Sequence, residues 1–274
     1  MVSWHIAHRG LGRCVLAPLV ALALALLQAC ASAPAPGSDA EALAAAAPST
    51  DARHRAHIRL ELAANYLQMG KPEVALEETA QALAADPGYS EAYQLRGLVY
   101  MALQDWAKAQ TNLQRALELK PADPDVMHNL GWLHCQRKDY DSADALFQRA
   151  LATPGYASRV KTWTAQGVCH ERAGRFAQAR ETLLRAYEFD AANPVVGYHL
   201  ASVMFAQDDA KGAQFYIRRV NNGEFSNAAS LWLGIKVERA LKDADAMRQL
   251  AEQLNRRYPD SREAMALVQG AFDE

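Results

Sequence analysis

One spacing constrains this chain more than any other feature. A small residue returns at Ala63, Gly97, Gly131, Gly167, Ala201 and Gly234, in steps of 34, 34, 36, 34 and 33 residues. Twelve residues after each stands an alanine: Ala75, Ala109, Ala143, Ala179, Ala213 and Ala246. Seven further on come Ala82, Ala116, Ala150, Ala186, then Val220 and Gln253. Self-similarity at such a period marks a stack of identical supersecondary units, each burying its apolar face against its neighbours. Small residues at two fixed points of one unit let two helix backbones approach closely, while larger side chains fill the space around them.

The pattern resembles the tetratricopeptide repeat, a pair of antiparallel helices. The expected fold is all-α: a right-handed superhelical solenoid of about six helix pairs with a C-terminal capping helix. The repeats fall at about 56–89, 90–123, 124–157, 160–193, 194–226 and 227–260, and the cap at 261–270, within a solenoid spanning 51–274. Leu62, Leu130, Leu200 and Leu233 precede the small residue, and Tyr66 and Tyr100 follow it by three. Pro87, Pro121, Pro194 and Pro259 stand where one pair stops and the next begins. Such arrays are mostly docking surfaces, so by analogy the fold alone suggests a binding module.

The segment before the repeats has a different character. Residues 1–29 read as a signal peptide: Arg9 and Arg13 precede an apolar run from Cys14 to Leu27 that is short for a membrane span. The run ends in Leu27-Gln28-Ala29-Cys30, which resembles a bacterial lipobox. That resemblance implies cleavage before Cys30 and lipidation of its thiol, and Ala31 in place of an aspartate implies the outer membrane. Residues 30–50 are then the acylated cysteine and a flexible tether, which spans roughly 25 Å on average as a coil. Half of the 274 residues are apolar and the formal net charge is −2. Removing residues 1–29 leaves 27 basic and 31 acidic residues, a net charge of −4. A mildly acidic body with no dense basic block argues against nucleic acid as ligand. Arg218-Arg219 and Arg256-Arg257 are expected to be solvated helix faces.

Candidate chemistry is sparse. There is no glycine-rich phosphate loop, no nucleophile elbow and no carboxylate cluster, so neither an enzyme activity nor a cofactor nor a small-molecule substrate is expected. His134 and His170 occupy the slot of Tyr66 and Tyr100, as amphipathic core fillers. His54 and His57 lie three apart but lack a third ligand, and no metal site is assigned. His134, Cys135, Cys169 and His170 form a two-Cys, two-His set, but the repeat already accounts for both histidines. Cys135 and Cys169 are the two thiols left in a processed chain, on first helices of adjacent repeats. Facing helices can bring them within disulfide range, and the alternative is two buried reduced thiols.

The inner face of such a solenoid is lined by fixed slots on each first helix. Here they hold Leu60, Ala64 and Leu67, then Gln94, Leu98 and Met101, then His128 and Trp132, and later Tyr198 and Phe205. Leu60, Leu67, Gln94, Leu98, Met101 and Trp132 are the candidate partner-binding groove. An apolar groove suits an amphipathic helix or a hydrophobic peptide strip. Met101 and Trp132 also fit the plainer role of packing under neighbouring helices.

The chain is similar to the PilF/PilW family of outer-membrane lipoproteins. The residues carrying this are His128-Asn129-Leu130-Gly131-Trp132-Leu133-His134-Cys135, Gln166-Gly167-Val168-Cys169 and the long junction from Pro154 to Arg159. Ser230-Leu231-Trp232-Leu233-Gly234-Ile235 and Tyr258-Pro259-Asp260-Ser261 complete it. The resemblance implies a pilotin, which binds type IV pilus secretin subunits and promotes their outer-membrane localisation and multimerisation. It also implies a Cys135–Cys169 disulfide, since both cysteines recur in the family. Trp163-Thr164-Ala165 departs from the family pattern, so no contact is carried over there. A lipoprotein adaptor of the β-barrel assembly machinery, or of peptidoglycan enzymes, is the alternative scaffold.

Overall fold

The computed structural model describes residues 49–272; Cys30 and the rest of residues 1–48 lie outside them, while Ser49 and Thr50, counted above with the tether, cap and open the first helix. Thirteen α-helices follow one another in this body. Six pairs come first: α1 (Thr50–Gln68) with α2 (Pro72–Ala85), α3 (Ser90–Ala102) with α4 (Trp106–Leu119), and α5 (Pro124–Gln136) with α6 (Tyr140–Leu151). Then come α7 (Arg159–Arg172) with α8 (Phe176–Phe189), α9 (Pro194–Ala206) with α10 (Ala210–Asn221), and α11 (Ala228–Ala240) with α12 (Ala244–Arg257). A single helix, α13 (Arg262–Gln269), packs on α11 and α12 as the next first helix would. Each first helix touches the first helix of the following repeat, whereas second helices make no such approach to one another. The first helices therefore form the inner layer of a curved solenoid and the second helices the outer one.

The small-residue slots are the contact points inside each pair. A Cβ on Gly97 would lie 2.6 Å from Leu113, one on Gly131 2.9 Å from Phe147, and one on Gly167 2.5 Å from Leu183. Leu113, Phe147 and Leu183 are fully buried, as are Thr79 and Ile217 at the equivalent place. Except for Thr79 in repeat one, this residue, sixteen positions after the small one, is a large knob that the small slot receives. Leu130, Leu200 and Leu233 are buried, but Leu62 is exposed. The slot faces the preceding repeat, and among the described residues α1 has none before it.

The turn inside each pair needs one left-handed residue. Gly70 and Gly174 supply it in repeats one and four, but Gln104, Lys138, Asp208 and Lys242 adopt φ of 59–65° in the others. A side chain there costs about 1–2 kcal/mol. Those four are each followed by an aspartate, Asp105, Asp139, Asp209 or Asp243, whose carboxylate accepts from a backbone N–H of the next helix. Lys71 and Arg175, after the two glycines, provide no side-chain cap. Glycine and capping aspartate thus compensate for one another along the array.

Candidate functional site

The six groove residues sit on the inner-layer helices. Leu60 and Leu67 are seven apart on α1, and Gln94, Leu98 and Met101 follow an i, i+4, i+7 face of α3; all five are half-buried. Leu60 packs against Ala56, Ala82 and Leu83, and Leu67 against Ala63, Ala75 and Val99. Met101 leans on the core around Leu113 and Val126. Their exposed parts and their packed parts coexist, which gives the early groove an apolar floor held in place from below.

The character changes at α5. Trp132 is half-buried beside Cys135, Phe147 and Cys169, and the Arg172 guanidinium stands 5.0 Å from its ring centre. Arg172 Nη1 also donates to Gln136 Oε1 at 2.9 Å, and His199 Nδ1 lies 2.5 Å from Glu171 Oε2. Tyr198 and Phe205 are half-buried on α9. The inner face therefore runs from half-buried Leu and Met side chains with one amide, Gln94, in repeats one and two to cation-covered aromatic and ion-paired ones from repeat three onward.

His128 departs from its expected slot. It is buried, with Nδ1 2.9 Å from Thr162 Oγ1, and lines no groove. Thr162 is itself 2.9 Å from the Tyr156 hydroxyl, which also donates to Asp125 Oδ1 at 3.3 Å. Burial, and secondarily the Lys161 ammonium, pushes His128 down to about 4, so the ring is neutral at pH 7. Tyr156, Thr162 and Asp125 were not singled out from the sequence. The two extra residues of the 36-residue step were visible, but nothing local said which side chain of the loop turns inward.

Cys135 and Cys169 form a disulfide across α5 and α7, with Cα atoms 5.8 Å apart and both residues buried. The neighbouring histidines are engaged elsewhere: His134 Nδ1 is 2.8 Å from Asp139 Oδ2 and His170 Nε2 is 3.2 Å from Asp144 Oδ1. The two-Cys, two-His set is thus not assembled around a common point. Burial lowers the His170 pKa against the opposing pull of Asp144. His54 and His57 are exposed on α1, with His57 Nδ1 3.7 Å from Glu61.

The paired arginines are not simply solvated faces. Arg218 makes a two-pronged contact of 2.7 and 3.0 Å with Glu238, which is 1% exposed and would be an uncompensated buried charge without it. Arg257 donates to both the hydroxyl and the carbonyl of Ser226. All four arginines are exposed, but Arg219 and Arg256 have no side-chain hydrogen bond or ion pair among the described residues.

A family model for the tetratricopeptide repeat matches residues 89–154. The type IV pilus assembly protein PilF of Pseudomonas aeruginosa is 26% identical over 204 residues, covering 74% of this chain and 81% of that one. The crystal structure of PilW, described as a widely conserved type IV pilus biogenesis factor, superposes with a TM-score of 0.73 at 27% identity. The match covers 78% of this chain and 98% of PilW. The solved structure of P. aeruginosa PilF, at 24% identity, shares the fold with a TM-score of 0.72, covering 81% of this chain and all of that one.

Proposed function

We propose that this chain, a tetratricopeptide-repeat protein homologous to PilF and PilW, serves type IV pilus biogenesis as a lipid-anchored scaffold for the secretin. In this reading Cys30 carries the lipid and holds the body at the periplasmic face of the outer membrane. The early groove takes an apolar segment of a secretin subunit, and the pair travels to the membrane where the ring assembles. The observation that carries the binding step is the half-buried Leu60, Leu67, Leu98 and Met101, with Gln94 among them, in the inner layer of repeats one and two. A partner helix covering it would exchange water for apolar contact at roughly 25 cal/mol per Å². The polar clusters of the inner face are occupied by internal partners, which fits a scaffold.

The test is a secretin pull-down with Leu98→Glu plus Met101→Glu. Both side chains are only half-buried, so circular dichroism should be unchanged while capture falls at least about tenfold, a loss of roughly 1.4 kcal/mol or more. Undiminished capture would reject the groove. Separately, Cys30→Ala should leave the helical body intact and leave the secretin away from the outer membrane; rings at normal levels there would reject the role of the lipid. Copurification with a barrel-insertion protein or a peptidoglycan hydrolase in place of secretin would move the assignment to another scaffold class.

A further inference from the structure

An exposed aromatic cluster lies away from the inner groove, at the edge where α8, α9 and α10 meet. Tyr187, Asn193, Pro194, Tyr216, Arg219 and Phe225 line one pocket there. Tyr187 and Tyr216 meet edge to face, 5.0 Å between ring centres at 86°, and Phe215 meets Tyr216 in the same way. Phe215 is 61% exposed and Phe225 is 67% exposed. Such a concentration of uncovered phenylalanine beside arginine is the composition of an interaction hot spot.

The fold explains why the pocket is open. Gly197 brings α9 tight against α10, since a Cβ there would lie 2.9 Å from Val220. The connector after α10 is longer than most, and it carries Phe225 past the end of the helix to form a wall. The space between these walls is about 50 Å³. At about 10–15 Å³ for each water, that is the room of three to five waters, a shallow hollow that a small ring enters by its edge. Among the described residues neither the Tyr187 nor the Tyr216 hydroxyl has an internal hydrogen-bond partner, so both are available to an incoming acceptor. Arg219 has no carboxylate within ion-pair distance among the described residues, whereas its neighbour Arg218 is committed to Glu238.

We infer that this pocket docks an extended, proline-containing segment of a partner polypeptide that carries an acidic residue beside the proline. A prolyl ring suits a single hollow between perpendicular aromatic rings. A polyproline-type backbone has no internal hydrogen bonds, so its carbonyls are free to accept from tyrosine hydroxyls. It is also stiff before binding, which lowers the ordering cost for so small a contact. Arg219 at the rim supplies the complement to the acidic neighbour. An amphipathic helix needs a continuous strip rather than one hollow, and that requirement is met in the early groove. The two surfaces are independent, so this site stands whether or not the early groove holds secretin.

The experiment is fluorescence anisotropy on the full chain in detergent, with a fluorescein-labelled peptide of six prolines flanked on both sides by two glutamates. Saturable binding is expected, and replacing the prolines by alanines should weaken it by about tenfold or more. Phe225→Ser plus Arg219→Glu, both on exposed side chains, should weaken it similarly with an unchanged circular dichroism spectrum. No saturation up to millimolar peptide, equal binding of the alanine peptide, or unaltered binding by the double variant would each overturn the assignment.

Discussion

Two connectors in this solenoid break the rhythm of the others, and they use their extra length in opposite ways. Most second helices have 14 residues and are joined to the next repeat by four, whereas α6 and α10 stop at 12 and are followed by connectors of seven and six. After α6, Tyr156 turns inward to 7% exposure and its hydroxyl joins Thr162, Asp125 and, through Thr162, His128. After α10 the inward residue is Ser226, held by Arg257 and by the Tyr258 hydroxyl at 2.8 Å, and the adjacent Phe225 points out. A shortened helix with a long connector is therefore a neutral device. It becomes a latch where the aromatic side chain has a polar handle and buried partners. It becomes a display surface where the backbone is pinned by a small neighbour.

The comparison is broken most severely by Tyr156→Ala, which removes a buried ring and takes the hydroxyl away from Thr162 and Asp125. A loss of about 3–5 kcal/mol is expected in denaturant unfolding, against less than about 0.5 kcal/mol for Phe225→Ala. Equal effects would show that the two loops do the same job. The latch is also covalent. Replacing both Cys135 and Cys169 by alanine opens a 34-residue span, and on chain-entropy grounds costs about 3–4 kcal/mol. The same loss should appear in the native chain on adding reductant, and a midpoint indifferent to reductant would contradict it.

Acid should act chiefly through the latch, where His128 carries the larger lowering; His170, also lowered by burial, adds in the same direction. His128 is held at about 4 in the folded state against an ordinary 6.5, so between these values the unfolded chain binds the proton more readily. Stability is full above pH 6.5, falls as pH drops towards 4, and levels off below, for a total on the order of 3 kcal/mol. His128→Gln should flatten this slope, and a slope that survives would assign it to other groups. The smallest effect is in the turns of the same two repeats. Lys138→Gly and Asp208→Gly each relieve a left-handed side chain, and a gain of about 0.5 kcal/mol is expected, read as a higher unfolding midpoint.

Much of the architecture was legible because packing between helices imposes a strict requirement at one point per pair. Gly97, Gly131 and Gly167 are small because Leu113, Phe147 and Leu183 occupy the space in front of them. The period therefore survives in the sequence even where the surface has drifted. The groove was legible only as positions. Leu98 and Gln94 could be placed on the inner helices, but His128, in the same register, went inside because Thr162 and Tyr156 were waiting for it from another repeat. Arg218 looked like Arg219 in the sequence, and only the buried Glu238, 20 residues away, separates them.

By itself, then, the chain's spacing determined the helix pairs and their number, because close approach of backbones admits only small side chains at recurring positions; the place of the first helices in the inner layer followed from the resemblance to the tetratricopeptide repeat. The tertiary structure alone decided which of the aromatic and charged residues face a partner. That choice depends on what a neighbouring repeat brings within hydrogen-bond reach, and such neighbours are 20 to 34 residues away along the chain.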